Sequence, residues 1–214
     1  MTLMQFLFKF GWVVKYWYSW TQTLSPKDKR TPIRSDYTSF NEIEQEFNKL
    51  RYQHDPELGG VKFDNIHHPQ HTYWLALNRQ GKNDLSSHTL NEETTGGDCD
   101  DSTSLWCAAL FKNKDKLGIK EVWFGITHYK MKNGQTPSHA VCVFRDRENK
   151  VAHVGNWYGN SPQYVDSGMD IKAGLRYFAI QNEYEYLAGS LIKIDKLTKD
   201  DRLVFGKFLN VPLF

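Results

Sequence analysis

Cysteine is scarce in this chain. Only Cys99, Cys107 and Cys142 occur in 214 residues, an odd, low count that gives no disulfide framework. If a helix covers residues 99–116, Cys99 and Cys107 stand roughly 12 Å apart along its axis, beyond disulfide reach. The expectation is reduced thiols in a reducing, cytoplasmic compartment. Charge of one sign is also lacking: 27 basic residues face 25 acidic ones, so there is no electrostatic case for nucleic acid as the main partner. An apolar run of the ~20 residues that span a bilayer is absent, because Lys9 and Lys15 interrupt the most apolar stretch, MTLMQFLFKFGWVVKYWYSW. That stretch has no basic start and no small-residue cleavage site, so it is not expected to be a signal peptide. No internal repeat or low-complexity segment is found.

What is present is an ordinary globular balance, 40% hydrophobic, in a chain long enough for one well-buried core. Eight aromatic residues fall within positions 1–20. This segment reads as a helix docked on the core or on a partner subunit, or as an interfacial helix with Trp and Tyr anchors at a membrane surface. Residues 21–38, with Pro26, Pro32 and the run Lys27-Asp28-Lys29-Arg30, read as a linker. The domain proper is placed at 39–214, opening on the capping-box pattern Ser39 to Glu42. Phe40, Ile43, Phe47 and Leu50 then follow at helical spacing. Residues 53–71 are loop-like, and 72–77 suit a short helix. A helix from Cys99 should end before Gly118. Period-two alternation predicts strands over 122–127, 138–144 and 151–157, with a turn at Asn133-Gly134. A further strand is expected over 184–194, and a closing helix over 199–209 capped by Thr198.

The chemistry concentrates in Gly97-Asp98-Cys99-Asp100-Asp101. A cysteine nucleophile works as its thiolate, and neighbouring carboxylates oppose that charge. A helix start resolves part of the conflict. Asp98 suits the N-cap and Asp101 lies three residues on, so their oxygens can bind backbone donors instead of facing the sulfur. The helix N-terminus itself favours a thiolate. A histidine must then take the proton, and His139 at the head of a strand is the candidate. If the next two strands pair so that partner positions sum to 295, His139 opposes Asn156 on an otherwise apolar face, and Cys142 points the other way as a structural residue.

This combination of Gly97-Asp98-Cys99-Asp100-Asp101, a helix, His139-Ala140-Val141 on a strand and Asn156 on the next resembles the transglutaminase-like superfamily. It is most similar to the bacterial and phage cysteine-peptidase branch, over roughly residues 40–160. The resemblance implies an α+β fold with a papain- or transglutaminase-like core, a nucleophile helix packed on an antiparallel sheet. It implies Cys99 as nucleophile, His139 as general base and acid, and Asn156 as the group that orients the imidazole, with no cofactor and no metal. Much of the superfamily has aspartate at the third position. Asparagine holds an imidazole but does not stabilise imidazolium by charge, although Cys-His-Asn is a working arrangement in papain-like proteases. Asp166 and Asp170 are the next candidates for that role.

Three functional readings follow. One is a cysteine peptidase or amidohydrolase acting on a protein or peptide, in the cytoplasm or associated with phage. Another passes the acyl group to an amine, as a transglutaminase does. The third is an inactive domain of the same fold used for interaction. The backbone N–H of Cys99 is the natural first oxyanion donor, with a second drawn from the preceding loop or from Gln70–Trp74. His67, His68 and His71 form an H-H-x-x-H cluster, which Pro69 interrupts. A surface loop is expected there in preference to zinc. A metal held by Asp98, Asp100 and Asp101 is disfavoured because consecutive helix positions diverge around the axis.

Overall fold

The computed structural model describes residues 11–50, 57–58, 61–62, 66–78, 97–156, 161–165 and 170–212. Five helices are described: α1 (Gly11–Thr21), α2 (Phe40–Phe47), α3 (Pro69–Asn78), α4 (Cys99–Lys112) and α5 (Ile171–Gln181). The strands are β1 (Glu57–Leu58), β2 (Val61–Lys62), β3 (Ile119–Lys130), β4 (Ser138–Asp146), β5 (Val151–Val154), β6 (Gln163–Tyr164), β7 (Glu185–Leu197) and β8 (Leu203–Val211). β1 and β2 pair with each other, and the rest form a 6-stranded sheet in the order β6-β5-β4-β3-β7-β8. Every neighbouring pair is antiparallel. The fold is thus α+β, a mixture of helices and one antiparallel sheet.

The alternating pattern makes β3 and β4 strands, and burial on both of their faces makes them central. Phe124, Ile126, Ala140, Cys142 and Phe144 pack with Leu105, Cys107 and Leu110 of α4. Trp123, Val141 and Val143 pack with Ile171, Leu175 and Phe178 of α5 on the other side. Close approach of α5 requires a glycine: a Cβ on Gly174 would lie 2.7 Å from Val143 Cγ1 and 2.9 Å from Val151 Cγ1. α5 lies outside the elements expected from sequence. Asp170 caps it by accepting from Lys172 N.

The helix starts follow local capping rules. Ser39 caps α2, whose Ile43 and Phe47 are buried. Asp98 caps α4. α3 begins earlier than expected, at Pro69, a residue that suits the first helical position. The hairpins also follow their turn residues: Gly134 and Asn149 adopt positive φ between β3 and β4 and between β4 and β5.

Two expectations are corrected. Residues 199–209 do not form a helix. Leu203–Val211 is strand β8, paired along β7, and the Thr198–Asp201 segment is the hairpin turn, with Asp201 at φ 61 and Thr198 Oγ1 accepting from Arg202 N. Non-local pairing decides what a short apolar run becomes. Nor is 21–38 a linker outside the domain. Ile33 and Tyr37 are buried in the same core as α4. Ser25 Oγ accepts from His68 N at 2.8 Å, and Thr31 N donates to Gln70 O at 3.0 Å. α1 is likewise tied in through Tyr18, which is buried and lies 5.4 Å from the Phe124 ring. Gln22 closes the edge, accepting from Leu203 N at 2.9 Å.

Removal of residues 1–36 is therefore expected to abolish cooperative unfolding, measured by thermal melting followed by circular dichroism. Tyr18→Ala in the full chain should cost about 3 kcal/mol, whereas Trp20→Ser, on the exposed side of the same helix, should stay within about 0.5 kcal/mol.

Candidate active site

Cys99 is the first residue of α4. It is half-buried, whereas Cys107 and Cys142 are fully buried, and none of the three is in a disulfide. Its aspartate neighbours do what a helix start asks of them. Asp98 Oδ1 accepts from Asp100 N at 3.2 Å, and Asp100 Oδ1 accepts from Asp101 N at 3.0 Å. Asp101 reaches out of the helix: its two oxygens accept from His67 N at 2.6 Å and pair with His67 Nδ1 at 2.7 Å. Gly97 lets this carboxylate sit under the chain, since a Cβ there would meet Asp101 Cβ at 2.7 Å. The helix thus opens on a negative cluster, yet each carboxylate has a donor to bind.

Contrary to the divergence expected of them, Asp98, Asp100 and Asp101 each bring an oxygen within 4.8 Å of the others. Asp98 stands at the cap, outside the helical spiral, which is why the three converge. Both oxygens of Asp101 are engaged by His67, so the donor set suits capping and ion pairing better than a cation.

The histidine cluster beside it is not a surface loop: His68 and His71 are buried. Nor do its rings converge on one point. His67 turns to Asp101, His68 Nε2 meets Asp200 Oδ2 at 3.1 Å, and His71 Nδ1 donates to Lys29 O at 2.8 Å. Burial lowers the pKa of His68 and of His71. The bidentate His67–Asp101 pair was not legible in sequence, since only the fold brings positions 67 and 101 together.

The strands correct the expected register. Cys142 pairs with Val154, Val143 with His153 and Phe144 with Ala152, so partner positions sum to 296 and not 295. β5 ends at Val154, and Asn156 falls in the turn after it. Asn156 Oδ1 is buried without a hydrogen-bond partner among the described residues, so it accepts nothing from the His139 imidazole. The residue brought toward His139 is Gly155, whose ideal Cβ would lie 3.8 Å from His139 Nε2. Asp170 caps α5, and Asp166 lies outside the described residues.

His139 also faces differently from expectation. It shares its sheet face with Val141 and Val143, the α5 side, and its ring stacks on Phe178 at 4.8 Å. Ala140 and Cys142 take the α4 side, where Cys99 packs at the margin of the core. The Cys142 thiol touches Cys107, whose own thiol is pushed up by burial, in keeping with a structural role for Cys142. His153 stands beside His139, its Nε2 3.1 Å from Gln181 Oε1. Burial, and then the neighbouring His153, push His139 down to about 3. Burial pushes His153 down to about 4, opposed by the Gln181 hydrogen bond. Sequence reading missed His153, which the one-residue register difference places opposite Val143 on the face that His139 shares.

Among the described residues no helix is long and apolar enough to cross a membrane. Compared with protein-family models, curated proteins and solved structures, the chain has no match.

The His139 and His153 imidazoles set a pH dependence, to which the buried His68 and His71 add in the same direction. Each has a folded pKa below its unfolded value near 6.5, so the folded state excludes a proton that the unfolded state binds. Their contribution to stability is whole above that value. It is lost as pH falls, at roughly 1.4 kcal/mol per pH unit for each histidine until the folded values are reached. Urea unfolding at pH 7 and pH 5 should show this loss, and His153→Gln should make it shallower.

Proposed function

We propose that the chain carries out thiol-dependent acyl transfer on an amide bond, with Cys99 as the nucleophile and water as the usual acceptor, as in a cysteine peptidase. The observation that carries this reading is the position of Cys99: the most accessible of the three thiols, at the first residue of a buried helix whose N-terminal dipole favours a thiolate. The helix packed against an antiparallel sheet is compatible with a papain- or transglutaminase-like core.

In this reading the Cys99 sulfur attacks the carbonyl carbon and the C–N bond of the tetrahedral adduct breaks. The leaving amine takes a proton, and a thioester remains. Water then releases the acid and restores the thiol; an amine in its place gives transamidation. His139 is the proton carrier in this reading. Cys99 and the His139 ring lie in different layers of the fold, so in this reading the proton passes between them round the end of the sheet.

A second reading, a non-catalytic domain used for interaction, is favoured by one observation. The His139 ring packs on Phe178 on the far face and is pushed down to about 3, which makes it a weak base at neutral pH.

The two readings part in a labelling experiment. Limiting chloroacetamide followed by intact-protein mass spectrometry should modify Cys99 alone, faster than a simple thiol at neutral pH. Turnover of peptide or glutaminyl substrates should vanish in Cys99→Ser and fall at least a hundredfold in His139→Ala. Selective labelling with unchanged turnover in His139→Ala would place the base elsewhere. Ordinary thiol reactivity with no turnover on either substrate class would leave the non-catalytic reading.

A further inference from the structure

Several buried tyrosines of the fold use their hydroxyls to bind neighbours. Tyr37 and Tyr73 both donate to Glu46 Oε2 at 2.6 Å, and Tyr186 donates to Val211 O at 2.6 Å. Tyr129 differs. It is only 2% exposed, yet its hydroxyl makes no hydrogen bond among the described residues. A buried phenol without an acceptor is uncommon, and it points to an acceptor that arrives with a ligand.

Tyr129 stands at the end of the sheet round which the chemistry of Cys99 and His139 has to work. Thr127 pairs with His139 and His128 with Ser138, so Tyr129 is the next residue beyond the head of β4. The pairing of β3 with β7 shifts register between His128 and Tyr129, the kind of irregularity that re-aims a side chain. The Tyr129 ring stacks on Tyr184 at 4.8 Å with the planes 5° apart. It lies 5.6 Å from Phe178, on which the His139 ring stacks in turn. These aromatic neighbours hold the ring in place. Burial pushes the phenol up to about 12, and Tyr184 and the charge of Cys99 add to the shift. The hydroxyl therefore keeps its proton at neutral pH, with Cys99 in electrostatic reach.

Acyl transfer draws on preorganised donors aimed at the oxygen that becomes negative. The backbone N–H of Cys99 is one. The next two of α4 are taken, because Asp100 N and Asp101 N donate to the Asp98 and Asp100 carboxylates. Gln70, in the segment expected to supply the other donor, gives its Nε2 to Asp201 at 3.0 Å. We infer that Tyr129 is a further catalytic residue, whose hydroxyl donates a hydrogen bond to the oxyanion of the tetrahedral adduct at Cys99. It keeps its proton throughout, so no proton is routed through it. The inference rests on the acyl-transfer reading of Cys99.

The test is Tyr129→Phe in the full chain, which keeps the ring contacts and removes only the hydroxyl. On a peptide or glutaminyl substrate that the wild type turns over, kcat should fall about a hundredfold or more, with KM and melting temperature unchanged. Alkylation of Cys99 by chloroacetamide is a direct displacement that forms no oxyanion, so its rate should not change. Full turnover in the variant overturns the inference and leaves the acyl-transfer reading standing. A labelling rate that falls in step with turnover also overturns it, since Tyr129 would then act on the thiol or on the fold. Absence of wild-type turnover on both substrate classes overturns the inference together with the reading it rests on.

Discussion

Successive residues of a strand point to opposite faces of its sheet, and β4 is covered by a helix on each face. This parity governs the molecule. It sends Ala140, Cys142 and Phe144 to α4, and His139, Val141 and Val143 to α5. Because both environments are dry, neither set can exchange with the other without moving every side chain of the strand. A histidine and a cysteine that look like partners along the sequence are thereby assigned to different layers, and any chemistry joining them must work round the end of the sheet.

The helix layer over α4 is held by polar as well as apolar contacts. Asp201, buried at the β7–β8 turn, accepts from Ile33 N at 3.0 Å, from Gln70 Nε2 at 3.0 Å and from Lys112 Nζ at 2.7 Å. One carboxylate thus joins the N-terminal segment, α3, the end of α4 and the last hairpin. A second node lies nearby, where Tyr37 and Tyr73 both donate to Glu46 Oε2 at 2.6 Å. Burial and the Glu46 hydrogen bond push Tyr73 up to about 12. These nodes explain why residues 21–38 belong to the core despite their prolines and charges: buried polar groups must be satisfied, and this segment supplies partners.

What could be read from the sequence was local. The caps at Ser39 and Asp98, the cysteine helix, the alternation of β3 and β4, and the Asn133-Gly134 turn all depend on residues within a few positions of each other. The β8 strand was not legible, because Leu203, Phe205 and Phe208 fit a helical stripe as well as a strand, and only the edge of β7 decides between them. The register was misjudged by one residue for a related reason. An apolar face is a guide only when the other face is polar, and β4 is apolar on both. The α5 helix did carry a readable signature, Asp170 as cap and then Ile171, Leu175 and Phe178. At the site, the position of Cys99 and the use of Asp98 as its cap were legible, whereas Asp101, expected near the backbone donor of the cap, pairs with His67 through a tertiary contact.

The Asp201 node also bears on the order in which the chain folds. Its three partners lie 168, 131 and 89 residues away in sequence, while the β3–β4 and β4–β5 hairpins close over short turns. Contacts of long sequence separation form at a high entropic cost and set the pace of folding. The hairpins can form early, but the carboxylate is desolvated without compensation until all its partners have arrived. Its burial therefore belongs to the last, cooperative stage of assembly, and the hairpin that begins the end of the chain is the latch that locks its beginning.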